Sequence, residues 1–376
     1  MKKIVILLCS LLCTACMAPE KIIEMQGIST IIGYDLLDDN TYKGTISLLQ
    51  FDRKEEKTSV TLSAEGTTNK QIRQKLEEQT SHDITSGQLR TILFNKNMAE
   101  TVGITSFLDT MQRDSSISSL IFMAITENAE KTISNTNYEE YPEMGSYIYQ
   151  LLDKHEKKEM LVNSNLHDFI TTLYEIGIDP TLPMIKNANG VAPSISGVAL
   201  FKDDKIVGSI PLINTFYLKL FTNNNAFLGD ITVEITAEEL EKRGIAKLNL
   251  PKSDIYKITL HPIKYKGNIE IKNEEFVHLN ATISVSILEF QPSTSVKDKD
   301  SLEEMEILIG EALNKEFRYI LEELKSLNTD PIGIGRKIRS VRQYSNLTEG
   351  DLRQKYSALK IKPNIKVEIK RSGSVD

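Results

Sequence analysis

The placement of cysteine constrains this chain more than any other feature. Cys9, Cys13 and Cys16 lie in the first sixteen residues, and none follows in the remaining 360 of 376. A disulfide within the body is impossible, so apolar burial and hydrogen bonding must hold it together. The segment that carries the cysteines, "MKKIVILLCSLLCTAC", begins with Lys2 and Lys3, continues as an apolar run from Ile4 to Cys13, and ends in small residues before Cys16. That run is far shorter than the ~20 residues of a membrane-spanning helix. It reads as a secretory signal peptide over residues 1–15.

The tetrad Cys13-Thr14-Ala15-Cys16 puts small residues at the last two positions of a bacterial lipobox, with Cys13 where leucine is usual and Leu12 one place early. Cleavage before Cys16 would leave one thiol, at the new N-terminus, to receive a diacylglyceryl group. The alternative is a secreted chain with a free Cys16, and the lack of an Ala-x-Ala site speaks against it. Two acyl chains hold a protein stably at a bilayer where one does not, so the chain is expected to lie on a membrane without crossing it. No cofactor beyond this acyl modification is expected.

Residues 1–15 contain two lysines and no acid, so their removal takes the formal net charge from -7 to -9. A mildly acidic body gains no general attraction to an anionic membrane and is a poor partner for nucleic acid. With 40% hydrophobic and 26% charged residues the chain is ordinary globular material. It is too long for a single core.

Period-two and period-3.6 patterns divide the chain into three parts. An N-terminal α/β domain over 16–136 starts with a hairpin in "GISTIIGYDLLDDNTYKGTISLLQFD" around Asp38-Asp39-Asn40, followed by a helix at 69–80, a strand at 88–95, a helix at 98–114 and a strand at 118–126. A middle domain over 137–227 holds helices at 144–158 and 165–176, closed by Gly177 with Pro180 and Pro183 beyond, and a hairpin turning at Asp203-Asp204. A strand-rich domain over 228–376 reads as a meander, then a long amphipathic helix at 301–327 with Leu302, Met305, Ile309, Leu313, Phe317, Leu321 and Leu324 on one face, then an alternating strand at 361–371. The fold class is therefore α+β, with three domains, mixed or antiparallel sheets, and a C-terminal sheet covered by the long helix.

Catalytic chemistry is sparse. "HEKKE" at 155–159 has Glu159 where the second imidazole of HExxH belongs, so a zinc site on His155 and Glu159 competes with a plain solvated helix end. No GxSxG elbow and no Asp-x-Asp calcium pattern occur. The tyrosines of "NYEEYPEMGSYIY" (137–149) suit packing at a domain junction better than a sugar or peptide platform. "NTDPIGIGRKIRS" (328–340) lacks the spacing of either nucleotide fingerprint. It fits a helix capped by Thr329 or Asp330, with Pro331 in the first turn and Arg336, Lys337, Arg339 and Arg342 as a basic face suited to packing or partner docking. Phosphate binding is the competing role.

Several landmarks, in order along nearly the whole chain, resemble the Ger(x)C family of lipoprotein C subunits of nutrient germinant receptors in bacterial spores. They are the lipobox cysteine, "GISTIIGYD", "NMAETVGITSFLDTMQRDSSISSLIFMAIT", "GIDPTLPMI", "ISGVALFKDDKIVGSI", the long helix, "DPIGIGR" and the terminal strand. Two departures stand out: Met17-Ala18 replaces the Trp-Asp often found after the lipid cysteine, and Ile332 and Ile334 replace the aromatics of "DPFGFGR". The resemblance implies a non-enzymatic protein on the outer face of the inner spore membrane, in complex with integral membrane A and B subunits, in an assembly that senses amino acids, sugars or nucleosides. It also implies that "DPIGIGRK" is a structural corner in which glycine permits close backbone approach. A free-standing lipoprotein that captures a small nutrient ligand is the alternative.

Overall fold

A computed structural model of the chain describes residues 25–38, 40–49, 59–135, 143–158, 161–162, 164–188, 191–222, 229–242, 253–273, 275–292 and 299–372. The expected signal peptide and Cys16 lie outside the described residues. The first half carries strands β1 (Gln26–Asp38), β2 (Thr41–Leu49), β3 (Ser59–Gly66), β4 (Asp83–Thr85), β5 (Thr91–Asn95) and β6 (Phe122–Thr126), with helices α1 (Asn69–Glu77), α2 (Lys96–Thr101), α3 (Thr105–Arg113) and α4 (Ala129–Ile133). Helices α5 (Met144–Lys157) and α6 (Leu166–Tyr174) lead into β7 (Thr181–Ala188), β8 (Val191–Lys202), β9 (Lys205–Pro211) and α7 (Thr215–Thr222). The remainder is β10 (Ile231–Thr236), α8 (Ala237–Lys242), β11 (Ile255–Ile271), β12 (Phe276–Gln291), α9 (Lys299–Leu327), α10 (Ile334–Arg339), α11 (Glu349–Ala358) and β13 (Lys360–Ser372).

The strands form two sheets. The larger runs β3-β2-β1-β5-β6-β7-β8-β9, with β4 beside β1, and the smaller runs β10-β11-β12-β13. In the larger sheet, antiparallel hairpins flank a parallel centre, β1-β5-β6-β7. Strands β5 and β6 are buried at all five positions, as parallel strands covered on both faces must be. Tyr34, Phe94, Phe107, Phe169 and Phe201 fill one side. On the other, Ile31, Leu93, Ile148 and Leu152 begin a core that continues through Phe216 and Tyr217 of α7 into the smaller sheet.

The larger sheet runs across the expected boundary at 136/137. Met184 and Ile185 of β7 pair with Ile125 and Thr126 of β6, so the hairpin assigned to a middle domain completes the first sheet. Parallel pairing across an intervening helical stretch leaves no local sequence signal. The helix expected at 98–114 is two helices, because Gly103 between them takes the left-handed region at φ +84°, and a side chain there would collide with the Asp204 carboxylate.

In the smaller sheet β10, β11 and β12 form the expected antiparallel meander, while β13 pairs parallel to β12. Helix α9 covers one face with Met305, Ile309, Leu313, Phe317, Leu321 and Leu324, none more than 1% exposed. Each such burial contributes about 1.5–3 kcal/mol. The same helix closes the β13 edge: Asn314 accepts from the Ile365 N–H at 2.8 Å and donates to the Ile365 carbonyl at 2.9 Å, and Glu306 accepts from the Ile369 N–H at 2.6 Å. An edge bonded in this way cannot template another strand.

Candidate functional site

The segment 328–336 sits where the two sheets join, against "GIDP" (177–180) and helix α11. Backbone is paired to backbone across the joint. The Asp179 N–H donates to the Asp330 carbonyl at 3.0 Å, and the Arg336 N–H donates to the Gly177 carbonyl at 2.6 Å. The chains approach so closely that a Cβ at Gly177 would lie 2.4 Å from the Arg336 nitrogen, and Gly177 itself has φ +84°. Only glycine satisfies both conditions.

Two buried aspartates, each followed by proline, organise this joint. Asp179 accepts both terminal nitrogens of Arg353 in a bidentate pair, and also the Asp330 N–H at 2.6 Å. Arg353 is held in turn by Glu349 at 2.7 Å, and Glu349 accepts the Gly177 N–H at 2.9 Å. Asp330 has no cation paired with it among the described residues. Its carboxylate accepts the N–H groups of Gly333 at 2.9 Å and Gly335 at 2.7 Å. Burial pushes its pKa up to about 7, against those amides, which lower it, while nearby Asp179 raises it further.

The expected cap is therefore displaced. Helix α10 begins at Ile334, with Gly333 at φ +78° as its cap residue, and Asp330 bonds to it from the preceding turn. Thr329 instead donates its hydroxyl to the Phe201 carbonyl at 2.5 Å. The amides that a phosphate would use are thus occupied by the chain's own carboxylate. The space left among these groups is about 10 Å³, room for at most one water. The geometry is that of a clasp.

The four basic residues expected to form one docking face are used differently. Arg336 is paired with Glu175 at 3.2 Å. Arg339 is half-buried, donates to the Ser345 carbonyl at 3.4 Å, and has a buried Nε without a hydrogen-bond partner among the described residues. Lys337 and Arg342 are exposed and form no ion pair among the described residues. Asp179, Glu349 and Arg353 were not singled out by the sequence. The repeated Asp-Pro at 179–180 and 330–331 was the one available sign of the first; the four-residue spacing of Glu349 and Arg353 was legible only as a helical pair.

Other candidates resolve simply. His155 is half-buried, and burial first, then Lys154 and Lys158, pushes its pKa down; Glu159 lies outside the described residues. No cluster of three metal-ligating side chains occurs among the described residues. Tyr147 donates to the Pro193 carbonyl at 2.8 Å, and Tyr149 packs on Phe122 beneath Arg90, which is a packing role; Tyr138 and Tyr141 lie outside the described residues. A cavity of about 420 Å³ lies between α1, α3 and β1, floored by Ile32, Ile46, Leu76 and Met111. At its rim Arg73 is fixed by Glu77 and Asp114, each at 3.2 Å. No helix among the described residues is long and apolar enough to cross a membrane.

Comparison with known proteins agrees with this architecture. Residues 19–187 match the family model described as the spore germination protein N-terminal domain, and residues 196–373 match the model described as spore germination B3/GerAC like, C-terminal. The chain is 25% identical over 359 residues to spore germination protein GerQC of Bacillus cereus, covering 95% of this chain and 94% of that one. It is 23% identical over 314 residues to the putative spore germination protein YfkR of Bacillus subtilis (strain 168), covering 80% and 75%. Its fold is similar to the crystal structure of the GerBC protein, with a TM-score of 0.54 at 16% identity over 90% of this chain and 96% of that one. With both halves matched in order and the fold shared, the chain belongs to the GerAC-like family of spore germination proteins, the Ger(x)C family.

Proposed function

We propose that this chain is the lipid-anchored C subunit of a nutrient germinant receptor. It is a non-catalytic protein held through acylated Cys16 on the outer face of the inner spore membrane, in complex with integral membrane A and B subunits. The observation that carries this reading is the span of the two family models, 19–187 and 196–373, across nearly the whole chain. A clasp whose anion-binding amides are filled by Asp330 is consistent with a structural part. Nutrients would act through the complex.

The test is Cys16→Ala in spores. It should release the protein from the inner membrane fraction, separate it from the A and B subunits, and weaken nutrient-triggered germination. Retention in the membrane with a normal response would contradict the anchored-subunit reading. The cavity beside Arg73, floored by apolar side chains, favours capture of a small nutrient ligand. Calorimetric titration of the mature chain with amino acids, sugars and nucleosides would decide that, and an absence of heat across the panel would remove it.

A further inference from the structure

The outer face of the smaller sheet concentrates positive charge on a chain whose net charge is negative. Strand register aligns three rows of side chains across β11, β12 and β13: Glu270, His278 and Lys362; Asn268, Asn280 and Asn364; Lys266, Thr282 and Lys366. A fourth row holds Lys264, Ser284 and Glu368. Hydrogen bonds confirm that these side chains share one face: Asn364 donates to Asn280 at 2.9 Å, Asn280 donates to Glu270 at 3.0 Å, and Ser284 donates to Glu368 at 3.3 Å.

With Lys360 and Lys370, this face holds six lysines and two glutamates over 264–270, 276–286 and 360–370. Both glutamates are already neutralised, Glu270 by Lys272 at 2.5 Å and Glu368 by Lys370 at 2.8 Å. Lys264, Lys266, Lys362 and Lys366 are exposed and form no ion pair among the described residues. Strands lie about 4.8 Å apart, so Lys266 and Lys366 flank Thr282 at roughly 10 Å. That is close to one Debye length at physiological salt, ~8 Å, so neighbouring cations reinforce one another. Beside the array, Ile263 is turned outward at the bulge between Pro262 and Lys264 and is 49% exposed.

We infer that this sheet face is a docking surface for the anionic headgroups of a lipid bilayer. The choice of occupant follows from charge complementarity, and it rests in part on the membrane-anchored reading above. Strand β1 begins at Gln26, so residues 16–25 are the only link to an acylated Cys16, and ten residues reach at most about 35 Å. A body tethered that closely must present some face to the headgroups. The acidic remainder is repelled by an anionic surface, whereas this face is attracted.

The test uses the mature chain carrying Cys16→Ser, so that no acyl chain contributes, in sedimentation with vesicles of phosphatidylglycerol and phosphatidylcholine in equal parts and with vesicles of phosphatidylcholine alone. The chain should bind the anionic vesicles, ignore the neutral ones, and dissociate at 1 M salt, where the Debye length falls to ~3 Å. Replacing Lys264, Lys266, Lys362 and Lys366 by glutamine should weaken binding about fivefold per lysine, and by several hundredfold together, on the order of 600-fold. The control Lys337→Gln with Arg342→Gln removes two exposed cations elsewhere and should change little. Equal binding to both vesicles, or full binding by the fourfold variant, would overturn the proposal. So would a fourfold variant that loses germination while the parent chain fails to bind either vesicle, since that pattern assigns the face to a protein partner. None of these vesicle results bears on the germination role, which the Cys16→Ala spores test separately.

Discussion

The clasp at the sheet junction and the outer face of the smaller sheet handle charge in opposite ways. At the clasp the carboxylates are answered within the chain: buried Asp179 by Arg353 and the Asp330 amide, buried Asp330 by two glycine amides, and partly exposed Glu349 by Arg353 and Gly177. On the sheet, four lysines stand in solvent and form no ion pair among the described residues. Desolvating a charge is expensive unless partners replace its water, so a satisfied buried network acts on the shape of the chain. Exposed like charges cost self-repulsion and gain little within the chain. Such a face does its work outside the molecule.

Substitutions should separate the two regions by what they change. The largest loss of stability is expected for Arg353→Ala, which leaves the buried Asp179 carboxylate with no cation among the described residues, costing about 3–5 kcal/mol; chemical denaturation measures it, and Asp179→Ala, which leaves Arg353 its pair with Glu349, should cost less. Next is Asp330→Ala, which strands two buried N–H groups at about 1–3 kcal/mol each. Gly177→Ala should cost about 1–3 kcal/mol from backbone strain alone, with the collision against the Arg336 nitrogen added. Arg336→Ala removes a half-exposed pair with Glu175 and should cost at most about 1 kcal/mol. The fourfold lysine variant should melt like the parent chain; a large drop in Tm would break the contrast by giving that face a structural role.

Asp330 sharpens the comparison through pH. Its folded-state pKa lies near 7, above that of an unfolded aspartate. The folded chain therefore holds a proton that the unfolded chain has lost. This contribution to stability is complete below about pH 4 and is lost as pH rises toward 7. Asp330→Asn should flatten the stability profile in that window. An unchanged slope would mean that the carboxylate ionises normally despite its burial.

Much of the fold was legible because its signals are local. The alternation in β11, β12 and β13 and the spacing of Met305 to Leu324 in α9 identify elements whose buried faces repeat every two or three to four residues. The joining of β6 to β7 was not legible, since a parallel pair separated by more than fifty residues leaves no mark in either segment. At the clasp, the glycines of "DPIGIGR" announced close approach but not what approaches: Gly177 is 158 residues away from Gly335 in number and in contact with it in space. The role of Asp330 was legible as a cap and misplaced by one turn, because Gly333 in the left-handed region delays the helix. Counting charge over the whole chain hid the lysine face, since strand alternation sorts charge by side and a net value does not.

The central claim is that this chain serves nutrient-triggered germination as a receptor subunit. Its most direct test is dipicolinate release from spores lacking the gene, beside a complemented strain, over a panel of amino acids, sugars and nucleosides. The account expects the response to one nutrient class to disappear in the deletion and return on complementation. An unchanged response to every class, with the protein found outside the spore membrane, would contradict it.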